Sequence, residues 1–238
     1  MDNAIYIGLS YQTALQRQLD VIANNMANLN TTGFKGEHDV FSQFLDKPPH
    51  GSTLSMVQDV NTTRDLREGP IETTNNTLDF ALQGEGYFTV ETLNGPRYTR
   101  TGSFELDNAG EIVTPEGLPV LDTQNRRITI PATASEINVT SDGIVSTNLG
   151  QLATLKISGF TNQVLMQPLP DGLYDTTEAP VAATARVVQG ALEGSNVEGV
   201  VEMTRMTEVT KHYQIAQNML DSENTRQKDA IDNLAKVQ

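Results

Sequence analysis

The 238-residue chain contains no cysteine and no tryptophan. The first absence excludes disulfides, thiolate nucleophiles and cysteine-held zinc. The second, with only 5% aromatic residues, predicts a core of aliphatic side chains. Basic residues are scarce as well: 16 Lys+Arg stand against 30 Asp+Glu, a formal charge of −14. Such a balance argues against reading nucleic acid or an anionic membrane through charge, since both demand a basic surface. Long apolar runs are missing. The longest, residues 4–7, has four members against the roughly 20 that a membrane helix needs. No Lys or Arg precedes an apolar stretch at the N-terminus, so a cleavable signal peptide is not expected. Composition leaves two destinations open, the cytoplasm or export by a route that reads no such signal.

Motifs of chemistry are equally thin. The histidines His38, His50 and His212 have no metal-binding spacing, and no metal or cofactor is expected. "GEGYF" (84–88) has a G-x-G but neither a third glycine nor a following helix, so a turn before a strand explains it. No G-x-S-x-G or Walker loop occurs. Asp107, Asp142 and Asp171 sit in glycine turns, where backbone geometry calls for them, and no D-x-D-x-D-G calcium loop is present. An enzyme is not expected.

What is present lies at the two ends. Leu15, Leu19, Ile22, Met26 and Leu29 recur at alternating steps of four and three, an apolar heptad seam. Projected backward, the register meets Gln12, Gly8 and Ile5, and the seam weakens. Gln16, Arg17, Asp20, Asn24 and Asn28 form the opposite, polar face. "TTGFKG" is expected to stop this helix, with Gly33 in the left-handed conformation. Near the other end, Ser195 and Glu198 fit a capping box. A second register follows through Met206, Val209, Tyr213, Ala216, Leu220, Glu223, Gln227, Ala230, Leu234 and Val237. The last proline is Pro180, so nothing forbids a helix of about 40 residues, roughly 60 Å long. The two seams most simply pair with each other.

Asparagine raises a separate question. Positions 24, 25, 28 and 30 are all Asn, a mediocre helix residue whose side chain competes for backbone groups. A nearly neutral amide face is wasteful against water but useful against another polar helix, where buried amides fix register. Asn24, Asn25 and Asn28 are therefore expected to set polar contacts between subunits, with Phe34 and Lys35 fixing the chain's exit.

Charge divides the chain similarly. Residues 1–34 carry −1 and residues 195–238 carry −2, leaving −11 between them. There the pattern shifts to period two in "YFTVET" (87–92), "RYTRTG" (97–102), "RRITIP" (126–131), "EINVT" (136–140), "QLATLKIS" (151–158) and "TARVVQGAL" (184–192). Turn signals separate them: "LNGP" (93–96), "DNAG" (107–110), "TPEG" (114–117), "SDG" (141–143) and "PDG" (170–172). No helix-length segment intervenes, which predicts an antiparallel sheet or barrel. The expected fold is α+β, with terminal heptad helices paired as an antiparallel coiled coil and a central antiparallel β-rich domain. Its parts are a helical assembly segment at 1–34, an extended connector at 35–77, the β-rich domain at 78–194 and a second helical segment at 195–238.

Three blocks carry a resemblance. "ANNMANLNTTGFK" resembles the A-N-N-x-A-N-x-x-T-x-G-F-K signature of bacterial flagellar axial proteins, the rod, hook and hook-associated subunits. "LDFALQGEGYF" with "RYTRTGSFELDNAGEIVTPEGLPVL" is similar to the central motif of the rod and hook group. "LEGSNVEGVVEMTRMTEVTKHYQIAQNML" is similar to that family's C-terminal helix. The blocks fall in family order and cover most of the chain, and length places it nearest the proximal rod branch. The resemblance implies a structural subunit that polymerises through its terminal helices, exported by the flagellar type III apparatus to a periplasmic rod. Its partners would be further copies and neighbouring rod subunits, with no nucleic acid and no membrane insertion. The signature residues Asn24, Asn25, Asn28, Thr32, Gly33, Phe34 and Lys35 would serve contacts between subunits. Two alternatives stand beside it: a distal rod or hook-type subunit, and a secreted β-domain enzyme or carbohydrate-binding module.

Overall fold

A computed structural model describes the backbone of residues 2–46 and 54–236, and the side chains of residues 5–40 and 61–233. His50 and Val237 lie outside the described residues. The chain divides into two compact units, one formed by residues 1–27, 37–65 and 198–238, the other by 28–36 and 66–197.

In the first unit the N-terminal register folds into helix α1, Asp2–Ala27. It ends well before the glycine expected to stop it. Asn28 supplies the reason: its carbonyl accepts from the Thr31 amide at 3.2 Å and its Oδ1 from the Thr31 hydroxyl at 3.1 Å. These local bonds replace helix continuation, the competition that makes Asn a poor helix interior. Gly33 does adopt a left-handed φ of 69°, several residues beyond the helix end. Helix α2, Gly199–Lys236, runs 38 residues, about 57 Å. The expected capping box does not form. The Ser195 hydroxyl accepts from the Val197 amide at 3.3 Å, a local turn that closes before the helix begins.

The segment expected as an extended connector contains long strands. β1, Glu37–Asp46, pairs antiparallel with β2, Leu54–Arg64, with an irregularity in register between Val40 and Phe41. Both strands pack along α1 within this unit.

The second unit is built from antiparallel strands. Six of them form one sheet in the spatial order 167–168, 173–175, 95–99, 87–92, 157–159 and 181–182. Strand Tyr87–Thr92 lies inside this sheet and is covered on both faces. Alternation sends Phe88 and Val90 into the main core, while Tyr87 joins Tyr98, Phe160, Met166 and Tyr174 in a second cluster. On that second side the Thr89 and Ser158 hydroxyls bond to each other at 3.0 Å, which satisfies two buried polar groups. The main core is largely aliphatic, as composition predicts, with three phenylalanines set among its Leu, Ile and Val side chains. Phe88 and Phe80 lie 5.2 and 5.7 Å from Phe104, ring centre to ring centre.

All five expected turns contain a glycine at positive φ: Gly95, Gly110, Gly117, Gly143 and Gly172. "RRITIP" keeps its alternation, with Ile128 and Ile130 buried, but forms bridges at Arg127 and Thr129 rather than a strand. "TARVVQGAL" is divided at Gly190 into strands Arg186–Gln189 and Ala191–Glu193. The latter pairs with Ile71–Thr73.

Candidate assembly surface

Two helices with complementary seams remove one apolar stripe from water and leave the rest of each surface exposed. Leu15 and Ile22 of α1 are buried with Val209 and Ala216 of α2, and Leu19, Met26, Met206 and Tyr213 pack around them. The order of contacts is antiparallel. Ile22 shares a cleft with Glu202 and Arg205, the Tyr11 hydroxyl lies 3.5 Å from His212 Nδ1, and Gly8 meets Leu220. Gly8 does not weaken the seam as its sequence suggested. A Cβ there would come within 2.7 Å of Leu220 Cδ2, so the bare glycine makes room for the leucine.

Further along, the register loosens. Glu223 pairs with Arg226 at 2.5 Å, Ala230 is exposed, and Leu234 lies in α2 with its side chain outside the described residues. Leu29 leaves the seam because α1 has ended. It lines a cavity in the second unit with Asn30, Thr32 and Pro70.

Away from the seam both helices carry large apolar side chains in water. Tyr6 and Leu9 on α1, and Val200, Met203, Ile215 and Met219 on α2, are each more than half exposed. Single exposed apolar residues are ordinary on any surface, but repeated along two paired helices they make a candidate contact face.

The signature residues separate into two groups. Asn24 is exposed on the outer face of α1. Asn25, expected at a boundary between subunits, is buried inside its own chain. Its Nδ2 donates to the Glu37 carbonyl at 2.8 Å, and its Oδ1 accepts from the Glu37 amide at 2.9 Å. The primary amide offers a donor and an acceptor side by side, as a neighbouring strand would, and so pins the start of β1 to α1. Asn28 is occupied with Thr31.

Lys35 is likewise internal. In the second unit its ammonium donates to Glu193 Oε1 at 2.6 Å and to the Arg67 carbonyl at 2.7 Å. Arg100 Nε holds the other carboxylate oxygen at 2.5 Å, and the Gly69 amide adds a bond of 3.0 Å. All three side chains are at least 95% buried. Burial alone would push the Glu193 carboxyl up, but Arg100 and Lys35 outweigh it and hold the group below the usual carboxylate range. Two cations share this one carboxylate, and burial pulls the Lys35 ammonium below its ordinary value despite Glu193.

The rest of the signature docks around the same hub. The Gly33 amide donates to the Glu193 carbonyl at 2.8 Å, and a Cβ on Gly33 would meet the Arg100 backbone at 2.6 Å. The Thr32 carbonyl accepts from the Thr101 hydroxyl at 3.4 Å, and the carbonyl of half-buried Phe34 accepts from the Asn196 amide at 3.3 Å. The signature is thus largely a fastening of the chain to itself. Glu193 and Arg100 carry no local sequence signal, because their partners lie 158 and 93 residues away from Glu193.

Among the described residues no group of three or more His, Cys, Asp or Glu is arranged to hold a metal, and no helix is long and apolar enough to cross a membrane.

Comparison with known proteins finds three matched stretches. Residues 5–35 match the family described as flagella basal body rod protein, and residues 81–147 match the flagellar hook protein FlgE/F/G D1 domain. Residues 188–233 match the flagellar basal body rod FlgEFG protein C-terminal family. The chain is 36% identical to the flagellar basal-body rod protein FlgF of Caulobacter vibrioides, with all of both chains covered. It is 34% identical to FlgF of Rhizobium meliloti over 98% of each chain. FlgG of Agrobacterium fabrum is 32% identical over 89% of this chain and 92% of its own length.

Proposed function

We propose, since this chain belongs to the flagellar basal-body rod proteins and is FlgF-like within them, that it polymerises in the proximal rod through the outer faces of α1 and α2. As a member of that family it is a structural subunit of the basal-body rod and assembles with other rod subunits. The further reading is mechanical. The subunit passes through the flagellar type III export apparatus, its paired helices act as an antiparallel coiled coil, and the assembled rod carries motor torque across the periplasm.

The observation that carries this reading is the row of exposed apolar side chains on helices whose seam is already filled. Ile215 and Met219 lie one turn apart on α2, 65% and 56% exposed, where burial inside the subunit gives them no role. Copies stacked on this face would remove them from water, at about 25 cal/mol per Å² of apolar area covered.

The test is the double variant Ile215→Asp/Met219→Asp, made in a strain lacking the native chain. The variant is expected to be exported and to keep its β core, yet to be absent from rods and to leave cells non-motile. Normal swimming by that strain would refute assembly through this face.

A further inference from the structure

The first unit also contains an acidic cleft that the seam and the signature leave unexplained. It is a cavity of about 290 Å³ where α1, β1 and the first turns of α2 meet, lined by Gln18, Glu37, His38, Asp39, Glu202 and Arg205 among others. Three carboxylates thus face one guanidinium and one imidazole. Glu202 is the telling residue. It is 96% buried, and its Oε1 accepts from Arg205 Nη1 at 2.8 Å. Its Oε2 is buried as well and receives no hydrogen bond. It stands in the first turn of α2, where the exposed amides of a helix start favour negative charge. A carboxylate oxygen out of water requires a donor.

Among the described residues nothing supplies one. Arg205 is committed to Oε1, lies 3.4 Å from His38 Nδ1, and has a side chain 44% exposed at the rim. The backbone of Glu37 is pinned to α1 by Asn25. Burial raises its carboxyl above the ordinary value. Arg64 partly offsets this, and the neighbouring Asp39 charge adds to it. A cation in the cleft would relieve both carboxylates and complete Glu202.

We infer that this cleft is a receptor for the ammonium group of Lys211 or Lys228 from a second copy of the chain, an inference that rests on the rod reading above. Both lysines are exposed on α2, and neither forms an ion pair within its own chain among the described residues. A lysine offers three donors on a long flexible stem, which matches a narrow cleft with an unbonded carboxylate oxygen. The receptor sits beside the apolar contact face on the same pair of helices. Hydrophobic stacking would bring copies together, and the ion pair would set their register.

The experiment complements a strain lacking the native chain with Glu202→Gln, Glu202→Lys, and Glu202→Lys combined with Lys211→Glu or with Lys228→Glu. Glu202→Gln keeps the shape and removes the charge. It is expected to lower rod incorporation several-fold while the purified protein melts no lower than the wild type. Glu202→Lys is expected to abolish swimming, and one of the two lysine reversals to restore it. Full swimming with Glu202→Gln and Glu202→Lys would overturn the receptor, as would rescue by neither reversal. A marked fall in melting temperature for purified Glu202→Gln would also overturn it, by making Glu202 a prop of its own fold. Failure of the rod reading looks different, because the strain with no complementing gene would then swim unaided.

Discussion

At the scale of single residues, two side chains hold more of this molecule than their sequence context suggests. Asn25 closes both backbone groups of Glu37. Asn25→Asp keeps the shape but replaces the donor with a second acceptor facing a carbonyl. It is expected to cost about 1–3 kcal/mol, with Asn25→Ala in the same range, read from the denaturant midpoint of the helical signal. An unchanged midpoint would show that the amide pair is idle.

Glu193 governs the second unit. Its carboxyl is held below the ordinary 4.5, so it adds stability at neutral pH that is present above the unfolded value and is lost as pH falls through the lower folded value. Glu193→Gln should therefore flatten the acid limb of stability against pH. It should also cost about 3–5 kcal/mol at neutral pH, because Lys35 and Arg100 are left buried without a counter-charge. An acid limb as steep as in the wild type would remove Glu193 from this role. Lys35 and Gly33 stood out in the sequence, but Glu193, whose carboxylate holds Lys35 and whose carbonyl holds the Gly33 amide, was invisible until folding brought distant segments together.

Between elements, the legible parts are those encoded locally. Both heptad registers could be read because a helix places residues three and four apart on one face, and eight of the chosen positions do pack together. The five glycine turns were readable for a similar reason, since left-handed φ is a property of one residue. Hairpin β1–β2 escaped because its apolar residues come in adjacent pairs, Val40–Phe41, Phe44–Leu45 and Met56–Val57, which match neither period. The irregularity at Val40/Phe41 breaks the alternation further. The capping box failed because Ser195 bonds its own turn and the helix opens later.

Gly8 follows from packing alone and gives a graded test. Gly8→Ala gains helix propensity of about 1 kcal/mol, which offsets the shift required of the flexible Leu220 end. Gly8→Leu overpacks the same spot and should cost about 1–3 kcal/mol of helix-pair stability. Equal effects from the two variants would mean that α1 and α2 do not approach there. Leu19→Asp/Ile22→Asp should separate the helices outright while the near-ultraviolet signal of the tyrosine cluster in the second unit persists.

For the whole molecule, the division into two units matches a division of labour. The second unit closes its own core around Phe80, Phe88 and Phe104, whereas the helices of the first keep apolar faces that one copy cannot cover. On the export route proposed above the subunit travels unfolded, and it gains from ordering those faces only where neighbours wait. In dilute solution the purified chain is therefore expected to be monomeric, its paired helices opening more readily than the β core, so that protease trims about 30–40 residues from each end first. Uniform resistance along the chain would contradict folding coupled to assembly.

The most direct measurement is the density of this chain in purified basal bodies, located by electron cryomicroscopy with a tag in an exposed β turn. The account predicts the chain in the proximal rod, α1 and α2 packed against the helices of adjacent subunits and the β-rich unit turned outward. Rods complete without this chain, or a subunit there whose helices face the periplasm, would contradict it.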